Sequence, residues 1–186
     1  MSNKDYTKEQ KDEILSFVKN IIKNKLEGIE NATITPIPEH LKEERSCFVT
    51  LHTASGALRG CIGHIMAFEP LYDNLRRNAL NAALQDPRFS PVKSIEEFSS
   101  INVEVSILTP AEKVDSYSDI IIGEHGVILK NGSRNAVFLP QVTSEQGWDI
   151  QTTLMHLSMK AGLPPNAWEL PETQFEVFRA IVFNDN

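Results

Sequence analysis

The chain has 186 residues, 41% of them hydrophobic and 23% charged, which suits one globular domain with a real core and excludes a compositionally disordered chain. Its Lys and Arg (18) are outnumbered by Asp and Glu (25), for a net charge of −7, so the whole molecule opposes polyanions and nucleic-acid binding is not expected. Two cysteines, Cys47 and Cys61, are too few for a disulfide scaffold and fit a reducing, cytoplasmic compartment.

The chain opens with Met1-Ser2-Asn3-Lys4-Asp5-Tyr6, a charged lead-in rather than a signal core, and no apolar run is long enough for a membrane span. Thr7-Lys8-Glu9-Gln10 reads as a capping box. Ile14, Val18, Ile21, Ile22 and Leu26 then recur at helical spacing up to a stop at Gly28. Pro36 and Pro38 exclude a regular helix over residues 29–45, which read as a connection. Residues 47–52 and 58–63 are two strands joined by a turn at Ala54-Ser55-Gly56. Pro70 opens a helix whose Leu71, Leu75, Ala79 and Ala82 form one apolar face, and Asp86-Pro87 ends it.

Residues 102–107 alternate strictly, with Val103, Val105 and Ile107 facing one way and Asn102, Glu104 and Ser106 the other. Residues 120–122 read as a short edge or turn. Residues 127–130 and 136–139 flank Asn131-Gly132, the strongest hairpin signal in the chain. Asp149 caps a helix carrying Leu154, Leu157 and Ala161, which Gly162 and Pro164-Pro165 terminate. Residues 175–183 read as one buried closing strand. Strands and helices do not alternate as βαβ units, so the expectation is an α+β fold with a mainly antiparallel sheet. No linker divides residues 1–186, and a single domain is expected.

Arg59-Gly60-Cys61-Ile62-Gly63 is the most unusual segment, because two glycines around a cysteine weaken a strand. On one reading the glycines let a ligand approach and Cys61 is an accessible thiol, with Arg59 favouring its thiolate. On the other, Cys61 is a small buried side chain and glycine is present because another element crosses the hairpin. Arg88 is placed either to fork onto an anionic ligand or to pair with Asp86 or a nearby carbonyl. Glu104 and Ser106 share the polar side of their strand; if that side lines a cleft, Glu104 is a candidate general base. His125, between glycines, is a turn residue or an acid–base group. Trp148 reads as a packing anchor. Cys61 with His64 falls short of the ligand number a structural zinc needs, so no metal site is expected. No cofactor is indicated, and there is no phosphate loop, nucleophile elbow or His-Glu-x-x-His pair.

Taken together, Leu58-Arg59-Gly60-Cys61-Ile62-Gly63, Asp86-Pro87-Arg88-Phe89, Val105-Ser106-Ile107-Leu108-Thr109, Gly123-Glu124-His125-Gly126, Leu139-Pro140-Gln141-Val142, Trp148-Asp149 and Lys160-Ala161-Gly162 resemble, in this order, the AMMECR domain family. Its prokaryotic members are known as AmmeMemoRadiSam system protein A. The resemblance spans nearly the whole chain, and the Arg-Gly-Cys segment is its most specific part. It implies a compact α+β fold with an antiparallel sheet, packed helices and a smaller lobe beside a cleft. It also implies a functional centre at Arg59-Gly60-Cys61-Ile62-Gly63 and an association with a Memo-type protein and a radical S-adenosylmethionine protein. The resemblance implies no particular biochemical activity. Two roles follow as expectations. One is an enzyme or substrate-handling component, with Cys61 as nucleophile or redox thiol, Glu104 or His125 moving protons, and Arg59, Gly60, Gly63, Arg88 and Ser106 about the substrate. The other is a non-catalytic partner presenting the Cys61 and Arg88 region to those proteins.

Overall fold

The computed structural model describes residues 6–29 and 36–185. The charged lead-in over residues 1–5 and the 30–35 part of the expected connection lie outside the described residues. The chain divides into two compact units, one running to Leu108 and resuming at Ile181, the other spanning Thr109–Ala180.

In the first unit, α1 (Lys8–Leu26) begins at Thr7, whose hydroxyl accepts the Gln10 amide while the Gln10 side chain accepts the Thr7 amide. This reciprocal cap satisfies two amides that a helix start leaves unpaired. Strands β1 (Cys47–Thr53), β2 (Leu58–Gly63), β3 (Ile101–Leu108) and β8 (Ala180–Asn184) form a sheet in the order β2-β1-β3-β8. Both β1 pairings are antiparallel, and Thr50 stands between Cys61 on one side and Glu104 on the other. Cys47, Val49, Leu51, Val103, Val105 and Ile107 point into the core shared with α1 and α2 (Leu71–Leu84). Each fully buried leucine there, such as Leu71 or Leu75, stabilises the unit by roughly 1.5–3 kcal/mol relative to exposure.

Strand side chains alternate between faces. Phe48, Thr50 and His52, Asn102, Glu104 and Ser106, and Cys61 and Gly63 therefore occupy the face away from those helices. Leu51 pairs with Gly60 and His52 with Leu58, so Arg59 is the extra residue of a bulge. The apolar face expected for α2 is present, but the buried Asn74 and Asn78 share it. Both dock the helix onto the start of β1: Asn74 accepts the Cys47 amide and Asn78 donates to the Cys47 carbonyl. The five-residue helix α3 (Ile95–Ser99), capped by Ser94, is too short to show a period in sequence.

In the second unit, β4 (Glu112–Val114), β5 (Gly126–Asn131), β6 (Arg134–Phe138) and β7 (Gln174–Phe178) form an antiparallel sheet in the order β4-β7-β5-β6. Asn131 pairs with Arg134, which puts the hairpin turn at Gly132-Ser133, one residue beyond the Asn-Gly reading, with Gly132 at φ 57°. The helices are α4 (Pro140–Gln146) and α5 (Ile150–Lys160), the latter capped by Asp149 as expected. Val127, Leu129, Leu154, Leu157 and Phe175 fill this core. The single closing strand expected over 175–183 is corrected to two strands, β7 and β8, in different sheets. The break is at Arg179, where Thr109 donates its amide to the Arg179 carbonyl and accepts the Arg179 amide at its hydroxyl. An unbroken apolar run carries no mark of such a change of partner. Among the described residues no helix is long and apolar enough to cross a membrane.

Candidate functional site

Cys61 lies near the end of β2, an edge strand of the first sheet. The two glycines that mark it in sequence answer to packing. A Cβ on Gly60 would collide with the Ala82 carbonyl of α2, and one on Gly63 with the Phe48 ring. Gly60 is buried, so its lack of a side chain lets the strand and helix backbones close together rather than opening a way for a ligand.

An edge strand leaves backbone groups without a neighbouring strand to pair with. At Cys61 the turn after α2 supplies the missing partners. The Cys61 amide donates to Asp86 Oδ2 at 2.9 Å, and the Cys61 carbonyl accepts from Arg88 Nη2 at 3.0 Å. Asp86 and Arg88 are locked together by Nε on Oδ1 at 3.0 Å, Nη2 on Oδ2 at 2.7 Å and the Arg88 amide on Oδ1 at 3.1 Å. The Asp86 side chain is 1% exposed, yet it stays ionised. Hydrogen bonds from Arg88 hold its carboxyl well below the usual carboxylate range, against the opposing effect of burial and with help from the two backbone amides.

Cys61 is a half-buried residue, and the buried Thr50 hydroxyl donates to its sulfur at 3.3 Å. Cys47 differs in its burial. It is wholly buried on the other face of the sheet, and burial pushes its thiol up to about 12. Both cysteines are free thiols. Across Thr50 from Cys61, Glu104 has neither hydrogen bond nor ion pair among the described residues. Two residues along β3 on the same face, Ser106 is only 7% exposed, and its hydroxyl has no partner among the described residues.

The remaining sequence candidates are committed elsewhere. Arg59 places Nε and Nη2 on Glu97 Oε1 at 3.2 and 2.6 Å. The Lys93 amide and then Arg59 hold Glu97 below its ordinary range. Both arginines flanking the thiol thus have their charge matched by a carboxylate. His125 belongs to the second unit, where its Nδ1 accepts the Ile121 amide at 3.1 Å and its own amide donates to the Ile121 carbonyl at 2.9 Å, closing a turn. Burial, with Arg179 adding to it, lowers the pKa of that ring. Trp148 stacks on His156 at 4.2 Å and packs near Phe138.

Sequence reasoning missed Asp86 as the anchor of Cys61, Thr50 as its neighbour, and the surroundings of His64. There Asn74 donates to His64 Nε2 at 2.7 Å, Phe68 stacks on the ring at 4.4 Å, and Arg77 lies alongside in an ion pair with Glu69. Burial and then Arg77 lower the His64 pKa. An Asp ending a helix two residues before an Arg was the one available signal for the Asp86 clamp, since such an Asp readily binds the amide two residues on. Among the described residues no group of three or more His, Cys, Asp or Glu side chains is arranged to hold a metal ion.

The sequence model of the AMMECR1 family matches residues 15–183. Protein MJ0810 of Methanocaldococcus jannaschii is 42% identical over 176 residues, covering 91% of this chain and 87% of that protein. Protein MK0488 of Methanopyrus kandleri is 38% identical over 186 residues, covering 96% and 90%. Among solved structures, the crystal structure of the uncharacterized protein PH0010 from Pyrococcus horikoshii superposes with a TM-score of 0.74 at 34% identity, covering 93% of this chain and 90% of that one.

Proposed function

The chain belongs to the AMMECR1 family, and on that premise we propose that it handles a small molecule at a site centred on the Cys61 thiol. One observation carries the reading. The Cys61 backbone is pinned at both peptide groups by the Asp86–Arg88 pair, while the residue stays half-buried rather than closed off, with the Thr50 hydroxyl donating to its sulfur. A reactive thiol needs that combination of fixed position and open approach. Glu104 stands two strands away from Cys61, roughly 10 Å between backbones. That is beyond hydrogen-bonding range of the sulfur, so its carboxylate serves substrate rather than thiol. The test is trapping. Native protein is incubated with a panel of small electrophiles and the adducts are mapped by peptide mass. Saturable adducts on Cys61 that need Asp86 support the reading; adducts that form at Cys61 only after unfolding refute it.

A second reading is that the protein is a non-catalytic partner of a Memo-type and a radical S-adenosylmethionine protein. The resemblance supports that association for either reading, and the packing role of Gly60 and Gly63 favours the non-catalytic one. Gel filtration of the purified mixture tests it: a complex that survives Cys61→Ser favours the partner role. Nucleic-acid binding through Arg59, Arg76, Arg77 and Arg88 is disfavoured by the net charge of −7 and by the ion pairs that occupy three of the four, Arg59, Arg77 and Arg88.

A further inference from the structure

The charges around the thiol constrain what can bind there. Two guanidiniums lie close to Cys61, Arg59 two residues before it and Arg88 on its carbonyl, but neither has an unmatched charge to offer, because Arg59 is held by Glu97 and Arg88 by Asp86. Within the sheet, the cross-strand partners on this face add no Lys or Arg. His52, Thr50 and Phe48 lie on β1, and Asn102, Glu104 and Ser106 on β3. Strand β8 contains no charged residue over Ala180–Asn184. The unmatched groups are the Glu104 carboxylate and, beside it on the same strand face, the hydroxyl of Ser106, a residue only 7% exposed, which has no partner among the described residues.

A carboxylate with no cation beside it repels an anionic ligand and attracts a cationic one. A hydroxyl with no protein partner has its oxygen open to a donor that a ligand brings. Both features call for the same chemistry, a positively charged nitrogen bearing N–H donors. We propose that the Cys61 face selects a cationic amine substrate, with its ammonium on Glu104 and Ser106 and its reacting atom at the thiol, and that it rejects anions. The inference rests on the Cys61 reading given above and adds the substrate class. The span between the ammonium and the reacting atom is then no more than roughly two strand spacings, about 10 Å. This reverses the anion-binding role that the two arginines suggest in sequence.

Three methanethiosulfonate probes share one reacting group and differ in charge: methyl (neutral), 2-aminoethyl (cationic) and 2-sulfonatoethyl (anionic). With each, the thiolate attacks the sulfenyl sulfur, a mixed disulfide forms and methanesulfinate leaves. The rate constant at Cys61 of the native protein is measured near neutral pH for each probe. The cation-to-anion ratio is then divided by the same ratio for 2-mercaptoethanol. The expected normalised ratio is on the order of tenfold in favour of the cation, the effect of one unit charge at this range in a medium between water and protein interior. Glu104→Gln brings the ratio close to one. Ser106→Ala, a second and smaller change, lowers it by a few-fold. Glu27→Gln, an exposed carboxylate just after α1, keeps it and so separates a local effect from net charge. A ratio at or below one in the wild type, or a ratio indifferent to Glu104→Gln, overturns the proposal. If the neutral probe labels Cys61 only after unfolding, the thiol site itself falls and this inference with it, a result distinct from a failed charge preference.

Discussion

The Cys61 amide donates to the Asp86 carboxylate at 2.9 Å, tying the strand that carries this half-buried cysteine to the turn that ends α2. Arg88 completes the arrangement by donating to the Cys61 carbonyl. Together the two side chains stand in for the neighbouring strand that β2 lacks at this point.

Breaking this clamp from either side destabilises the protein unequally. Asp86→Asn loses charge-assisted bonds but buries no net charge, and stability in urea unfolding falls by about 1–3 kcal/mol. Arg88→Ala strands a carboxylate that is 1% exposed, so at neutral pH it costs more than Asp86→Asn. Equal costs for the two variants contradict the clamp.

Acid weakens the fold through the same residue. The Asp86 carboxyl lies below its ordinary range in the folded protein, so between the two pKa values the unfolded chain holds more protons. The stability it contributes is complete above the unfolded value of about 3.9 and is lost as pH falls from there toward the folded pKa. Unfolding followed against pH below about 4 therefore declines less steeply in Asp86→Asn. An unchanged slope contradicts the assignment. His64, lowered by burial and Arg77, acts in a higher window, and its contribution is lost as pH falls below about 6.5.

Features fixed by nearby residues were legible in the sequence. The Thr7–Gln10 capping box, the Asp149 cap and the inward set Val103, Val105 and Ile107 all follow from spacings of two to four residues. The Arg-Gly-Cys segment is conspicuous for its paired glycines, and the short Asp-Pro-Arg spacing makes a pairing of Arg88 with Asp86 or a nearby carbonyl one of two open readings. Hidden features depend on distant partners. Asp86 meets the Cys61 amide across 25 residues, and Asn74 looks like any polar helix position until β1 is laid against it. The change of sheet at Arg179 leaves an apolar run unbroken. Arg59 read as a partner for the thiol because sequence places it two residues away, whereas the fold gives its guanidinium to Glu97.

Gly60→Ala tests the packing account of the glycine. Its methyl would meet the Ala82 carbonyl, a backbone atom that cannot rotate aside, and overpacking of this kind costs about 1–3 kcal/mol. Thermal unfolding reads the loss directly. A variant as stable as wild type would mean that β2 and α2 are not in close approach there.

Asn74→Ala removes the acceptor for the Cys47 amide and the Asn78 side chain and the donor to His64 Nε2. Leaving these buried groups unsatisfied costs about 1–3 kcal/mol. Without the Asn74 donor, which requires the neutral ring as its acceptor, the His64 pKa rises. NMR titration of the His64 ring measures that shift; a ring titrating as in wild type contradicts the hydrogen bond.

The account depends above all on one thiol being open while the other is closed. Native protein is alkylated with iodoacetamide, quenched and mapped by peptide mass, with a parallel sample in guanidinium. Cys61 is predicted to be modified in the folded protein, and Cys47, wholly buried, only in denaturant. If Cys61 is as protected as Cys47 until the chain unfolds, no reactive site exists on this face.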